Sequence, residues 1–275
     1  MKGKEEKDLI EHRIDTRLRQ LYERGEKGLI TFITAGDPDL DTTFKLVLAL
    51  EKAGADLVEL GVPFSDPMAD GPVIQRSSQR SLAGGTNLKG ILNLVRRLRQ
   101  HTEIPLLLMT YYNPVLHYGL DRFAVDAAEA SVDGVIVPDL PLEESAPLWQ
   151  VLNSNGQYLI YLVAPTTTPE RLEKIAASAG GFIYCVSLTG VTGMRDGISA
   201  DITEFMQRVR RHCSLPLAVG FGISNSRQAA LMAEDADAVI VGSALVGLVE
   251  QFRNQSEVML ERVAGLVKEL KEVLL

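Results

Sequence analysis

Two carboxylates, Glu59 and Asp70, carry the chemistry that this sequence announces first. Glu59 interrupts an apolar run, Ala55, Leu57, Val58 and Leu60, of the kind that forms a short buried strand. An acid there is costly unless it is paired, neutralised or used. Gly61 and Pro63 end the strand, and the segment that leaves it carries Ser65, Asp66 and Asp70. Pro67, Gly71 and Pro72 punctuate that segment, so it reads as irregular rather than as helix or strand. Two carboxyls at one strand end can hold different protonation states and divide acid and base work on a single substrate. The plainer readings are an ion pair for Glu59 and a loop cap for Asp70. Their joint placement favours chemistry.

A second set of residues lies late in the chain. Gly190-Val191-Thr192-Gly193, Gly220-Phe221-Gly222-Ile223-Ser224 and Gly242-Ser243 each follow an apolar run. Each glycine alone reads equally well as a tight turn. Together they fall where loops after the last strands of a barrel, with the start of a short helix, hold phosphate on backbone amides. Phe32, Phe64, Tyr111 and Tyr184 are aromatics that can reach the same face and wall a flat apolar ligand. The alternative for Phe32 and Tyr184 is an ordinary core layer.

These residues need a scaffold, and the chain supplies eight short runs rich in Val, Ile and Leu, each followed by a helical pattern. The strands are expected over 28–34, 55–60, 105–110, 134–137, 158–163, 181–186, 216–219 and 238–241. Continuous apolar strands imply burial on both faces, as in a parallel sheet. Eight such units in one chain fit a single α/β domain over residues 1–275, a (β/α)8 TIM barrel, better than an open doubly wound sheet. Residues 7–24 have Leu9, Ile10, Ile14, Leu18, Leu21 and Tyr22 at helical spacing, an extra N-terminal helix placed to plug the bottom of the barrel. Residues 111–119 read as a loop.

Bulk properties narrow the function. The 275 residues are 46% hydrophobic and 23% charged, with a formal net charge of −8. That charge argues against nucleic acid and against an anionic membrane surface, though not against a phosphorylated small molecule. Cys185 and Cys213 form no disulfide framework, and His12, His101, His117 and His212 are scattered at no metal-ligand spacing. The N-terminal segment lacks the apolar core of a signal peptide, and no apolar run reaches the length of a membrane helix. A cytoplasmic location is expected.

The segment 58–72, with VELG, PFSDP and ADGP in succession, resembles the signature of the tryptophan synthase alpha chain family. GDPD (36–39), PDLPLEES (138–145), GVTG, GFGIS and VGSA follow in the family's order, so the resemblance covers essentially the whole chain. It implies retro-aldol cleavage of indole-3-glycerol phosphate to indole and glyceraldehyde 3-phosphate in L-tryptophan biosynthesis. By position, Glu59 corresponds to the family's catalytic acid/base and Asp70 to its second catalytic carboxylate. Phe32, Tyr111 and Tyr184 correspond to the indole pocket, and Gly193, Phe221, Gly222, Gly242 and Ser243 to the phosphate loops. No cofactor is implied for this chain, because pyridoxal phosphate belongs to the partner beta chain of an α2β2 assembly. Residues 63–72 and 188–199 resemble two mobile loops, and Asn113, Pro114 and Pro141 the beta-chain contact. The chain departs from some members in having Leu188 where they carry Arg; Arg195 lies further along. Two rivals are another barrel enzyme acting on a phosphorylated sugar derivative and a non-catalytic subunit that only activates a beta chain.

Overall fold

Short apolar runs alternating with amphipathic stretches build a closed parallel barrel in the computed structural model, which describes residues 12–186, 200–220 and 222–275. The strands are β1 (Gly28–Thr34), β2 (Leu57–Gly61), β3 (Leu106–Met109), β4 (Gly134–Ile136), β5 (Tyr158–Ile160), β6 (Leu162–Val163), β7 (Ile183–Val186), β8 (Leu217–Gly220) and β9 (Ala238–Val241). The helices are α1 (Arg13–Arg24), α2 (Leu40–Ala53), α3 (Pro72–Ala83), α4 (Leu88–Leu98), α5 (Tyr112–Tyr118), α6 (Leu120–Glu129), α7 (Ala146–Ser154), α8 (Pro169–Ser178), α9 (Ala200–His212), α10 (Ser226–Ala233), α11 (Ser243–Phe252) and α12 (Ser256–Glu272).

The strand order is β5-β4-β3-β2-β1-β9-β8-β7-β6, every pairing parallel. Its two ends, β5 and β6, are consecutive pieces of one extended stretch interrupted at Tyr161. The nine segments are therefore the eight staves of a (β/α)8 barrel, with the fifth stave broken in two. Across the break the ladder continues, because the Tyr161 carbonyl accepts from the Tyr184 N–H at 3.0 Å.

Alternation along the strands divides the core in two. One apolar cluster, with Leu29, Ile33, Val58, Leu60, Leu106 and Leu108, faces the surrounding helices. The other, with Ile30, Leu57, Leu107, Ile136, Ile160 and Phe182, fills the barrel. Ile14, Leu18 and Leu21 of α1 belong to this inner cluster, so the N-terminal helix plugs the bottom as its spacing predicts. Residues 7–11 of the expected helix lie outside the described residues.

Buried aspartates fasten the bottom rim. Asp56 accepts from the Leu29 N–H at 2.7 Å and pairs with Arg17 and Lys271. Asp133 does the same with the Leu106 N–H at 2.7 Å, Arg13 and Arg99. Asp237 accepts from the Leu217 N–H at 2.8 Å and pairs with Arg210. Each is the residue immediately before an even-numbered stave, so each ties that stave to its neighbour.

Two local expectations fail for the same reason. Residues 111–119 are not a loop: α5 occupies Tyr112–Tyr118. Pro114 is its third residue, where the missing N–H has no intrahelical partner to lose. Likewise Pro72 opens α3 as its first residue instead of merely breaking the chain. Ahead of α7 the chain makes a short 3-10 turn, Leu142–Glu144.

Candidate active site

The site sits one layer above the inner core, at the C-terminal mouth. Two residues beyond Ile30, Leu57, Leu107 and Phe182 on the same staves, pointing the same way, come Phe32, Glu59, Met109 and Tyr184. Phe32 and Glu59 stand opposite each other in the β1–β2 register. Above them opens a cavity of about 810 Å3, lined by Phe32, Asp70, Met109, Tyr184, Gly242 and Ser243 among others. A polar cleft of about 710 Å3 lies at the other end of the barrel against α1, where its arginines Arg13 and Arg17 are held in the ion pairs with Asp133 and Asp56. It is remote from the paired carboxyls.

Glu59 is fully buried, and neither of its carboxyl oxygens has a hydrogen-bond partner among the described residues. Burial alone pushes its pKa up to about 8. It stands opposite Phe32, which lines the floor of the cavity. Asp70 is on the wall, and burial raises it to about 6, while the Tyr111 hydroxyl beside it pulls the other way. Tyr184 is raised well above its ordinary value, first by burial, then by the charges of Glu59 and of Asp70. Phe32, which stands opposite Glu59, lines the same cavity as Asp70 and Tyr184.

Loop 63–72 is held from below. The Tyr111 hydroxyl accepts from the Ala69 N–H at 2.9 Å, and the Phe64 ring stacks on Tyr111 with centroids 5.2 Å apart. Tyr111 therefore stands behind the loop that carries Asp70 instead of on the cavity wall. The Gln75 side-chain amide donates to the Asp70 carbonyl at 2.9 Å, tying the acid to the first turn of α3.

Glycines shape the remaining wall. A β-carbon on Gly61 would stand 2.5 Å from Cζ of Phe32, and one on Gly220 would stand 3.0 Å from the Tyr184 hydroxyl. Gly222 has φ +67°, in the left-handed region that suits glycine. Gly242 precedes α11, and Ser243 is its first residue, so the positive end of that helix faces the cavity. Gly193, Phe221, Leu188 and residues 188–199 lie outside the described residues. The lining also includes Ile74, Thr166, Thr167 and Arg171, which sequence reasoning missed because none stands in a motif. Among the described residues no cluster of His, Cys, Asp or Glu is placed to hold a metal ion, and no helix is long and apolar enough to cross a membrane.

A barrel whose mouth joins two carboxyls of raised pKa to a glycine-lined helix start has the parts of an acid–base enzyme for an anionic, partly apolar substrate. The sequence profile of the tryptophan synthase alpha chain family matches residues 18–274. The chain belongs to that family, and so is a lyase of tryptophan biosynthesis that acts on indole-3-glycerol phosphate. It is similar to the alpha chain of Geobacter sp. (strain M21), 55% identical over 260 residues, covering 94% of this chain and 97% of that one. A crystal structure of the alpha subunit from Legionella pneumophila str. Paris superposes with a TM-score of 0.89 at 40% identity, covering 96% and 98% of the two chains. A chain of the tryptophan synthase α2β2 complex from Pyrococcus furiosus gives 0.83 at 38% identity, covering 89% of this chain and 98% of that one.

Proposed function

We propose that one barrel domain over residues 1–275 cleaves indole-3-glycerol phosphate with Glu59 and Asp70 as its two working carboxyls. The observation that carries this is the split between them. Between about pH 6 and about pH 8, Asp70 is ionised while Glu59 still holds its proton. Glu59 gives that proton to indole C3, and the positive charge that follows on the ring spreads to the indole nitrogen. The Asp70 carboxylate accepts from the indole N–H and stabilises that charge. Glu59, now ionised, takes the proton from the glycerol hydroxyl that becomes the aldehyde. The carbon–carbon bond breaks, its electron pair returns to the ring, and indole and glyceraldehyde 3-phosphate result.

Phe32 and Tyr184 wall the indole, with Tyr111 bracing the loop beside it. Gly222, Gly242 and Ser243 bind the phosphate with backbone amides and the start of α11, together with Gly193 and Phe221. The chain needs no cofactor of its own, works in the cytoplasm, and passes indole to a beta chain in an α2β2 complex that carries pyridoxal phosphate. The relative from Pyrococcus furiosus, which is part of such a complex, supports that partner.

Indole release from indole-3-glycerol phosphate, measured with and without a beta chain, tests this reading. Glu59→Gln is expected to abolish release while binding substrate as tightly as the parent. Undiminished turnover by that variant, or no release by the parent under either condition, overturns it.

A further inference from the structure

The GDPD motif at the end of β1 has no part in the reaction as described, yet its first aspartate is one of the most heavily bonded acids in the barrel. Asp37 is buried, accepts from the Ser77 hydroxyl at 2.5 Å, and takes Arg80 in a two-pronged ion pair at 2.9 and 2.7 Å. The remaining arm of Arg80 reaches Glu250 on α11 at 2.8 Å. Glu250 in turn accepts from Nε and Nη2 of Arg76 at 2.9 and 2.8 Å. Arg76, Ser77 and Arg80 all belong to α3, which packs directly on α11 and β1.

Both helices joined here reach the cavity, α3 through Ile74 and α11 through Ser243. Asp70 lies two residues before α3 and is bonded to its first turn through Gln75. Ser243 is the first residue of α11 and lines the cavity. A shift of α3 therefore carries Asp70 with it, and a shift of α11 moves the phosphate end. A planar guanidinium bonded at once to carboxylates from two elements fixes their separation and angle, which a point charge on a flexible stem does not.

We infer that Arg80, clamped between Asp37 and Glu250, is a positioning residue that sets the helix behind Asp70 against the helix that receives the phosphate. The inference rests on the roles proposed above for Asp70 and Ser243. Arg80 touches no reacting atom; it holds the distance between the acid and the anion site to what the substrate spans.

Kinetics of Arg80→Gln, Arg80→Lys and Glu250→Gln, with melting temperatures and the Kd for inorganic phosphate, test it. Arg80→Gln is expected to lower kcat by about tenfold to a hundredfold, the range for small displacements of reacting groups. Arg80→Lys, which keeps the charge but not the fork, recovers part of that loss. Glu250→Gln keeps the helix packing and is expected to weaken phosphate binding and raise KM by about threefold, with a smaller effect on kcat. Parent kcat and KM in a folded Arg80→Gln, with only the melting temperature lowered, overturn the inference. Equal losses for Lys and Gln also overturn it. Should Arg80→Gln not fold, Glu250→Gln decides, and an unchanged KM and phosphate Kd reject the clamp. Asp70→Asn runs alongside: full cleavage by that variant rejects the proposed function itself, whereas an inactive Asp70→Asn with normal Arg80 variants rejects the clamp alone.

Discussion

Tyr111 holds the backbone of Ala69 and thereby the position of Asp70: its hydroxyl accepts from the Ala69 N–H at 2.9 Å, one residue before the acid. Tyr111→Phe removes that bond and the hydroxyl beside the Asp70 carboxylate. Loss of one such bond is worth about 1 kcal/mol, so kcat/KM is expected to fall by up to about tenfold. The hydroxyl favours the ionised acid, so its removal raises the Asp70 pKa beyond about 6. The acid limb of the kcat/KM profile should move to higher pH. An acid limb unmoved, or moved to lower pH, rejects the bracing role.

The same two carboxyls set the profile of the parent. Asp70 must be ionised, which requires pH above about 6, and Glu59 must be protonated, which requires pH below about 8. A bell with those two limbs is expected for kcat/KM, the values belonging to the pair as a unit. Activity that climbs steadily through pH 9 contradicts a protonated Glu59.

Glu59 also ties stability to pH. Its pKa in the folded chain is raised from 4.5 to about 8, so the fold favours the protonated form. That contribution is fully present below about pH 4.5 and disappears as pH rises through about 8. Glu59→Gln is neutral throughout. It should match the parent near pH 4.5 and exceed it above pH 8, by on the order of several kcal/mol in urea unfolding. A Gln variant less stable than the parent at pH 9 contradicts the sign.

At the bottom rim the expectation reverses. Asp56→Ala removes the partner of the Leu29 N–H, Arg17 and the buried Lys271. Breaking a buried pair by deleting one side costs about 3–5 kcal/mol. Because this face is opposite the cavity, kcat in the folded variant should equal that of the parent. Unfolding curves and kcat on one preparation check both halves.

Most of the barrel is legible in the sequence because each stave is a run of apolar residues bounded by turn formers, a local signal. The break at Tyr161 is not, since nothing in residues 158–163 marks it. α5 is missed because Asn113 and Pro114 carry turn signals that a first helical turn tolerates equally well. Glu59 stands out because an acid among apolar strand residues is locally anomalous. Ile74, Met109 and Arg171 do not stand out, because each is ordinary in its own segment and meets the cavity only through folding. The GDPD motif is visible as a turn, but its bond to Arg80 spans 43 positions of sequence.

Around the pocket, Phe32 and Tyr184 lie against places where Gly61, Gly220 and Gly242 offer only backbone. An engineer seeking to admit indoles with bulky ring substituents therefore finds nothing to trim at those three glycines. The room has to come from the two rings, and a smaller residue at position 32 would open a slot floored by peptide planes. A side chain at Gly61 or Gly220 would instead press on the Phe32 or Tyr184 ring, and one at Gly242 would also stand at the phosphate end.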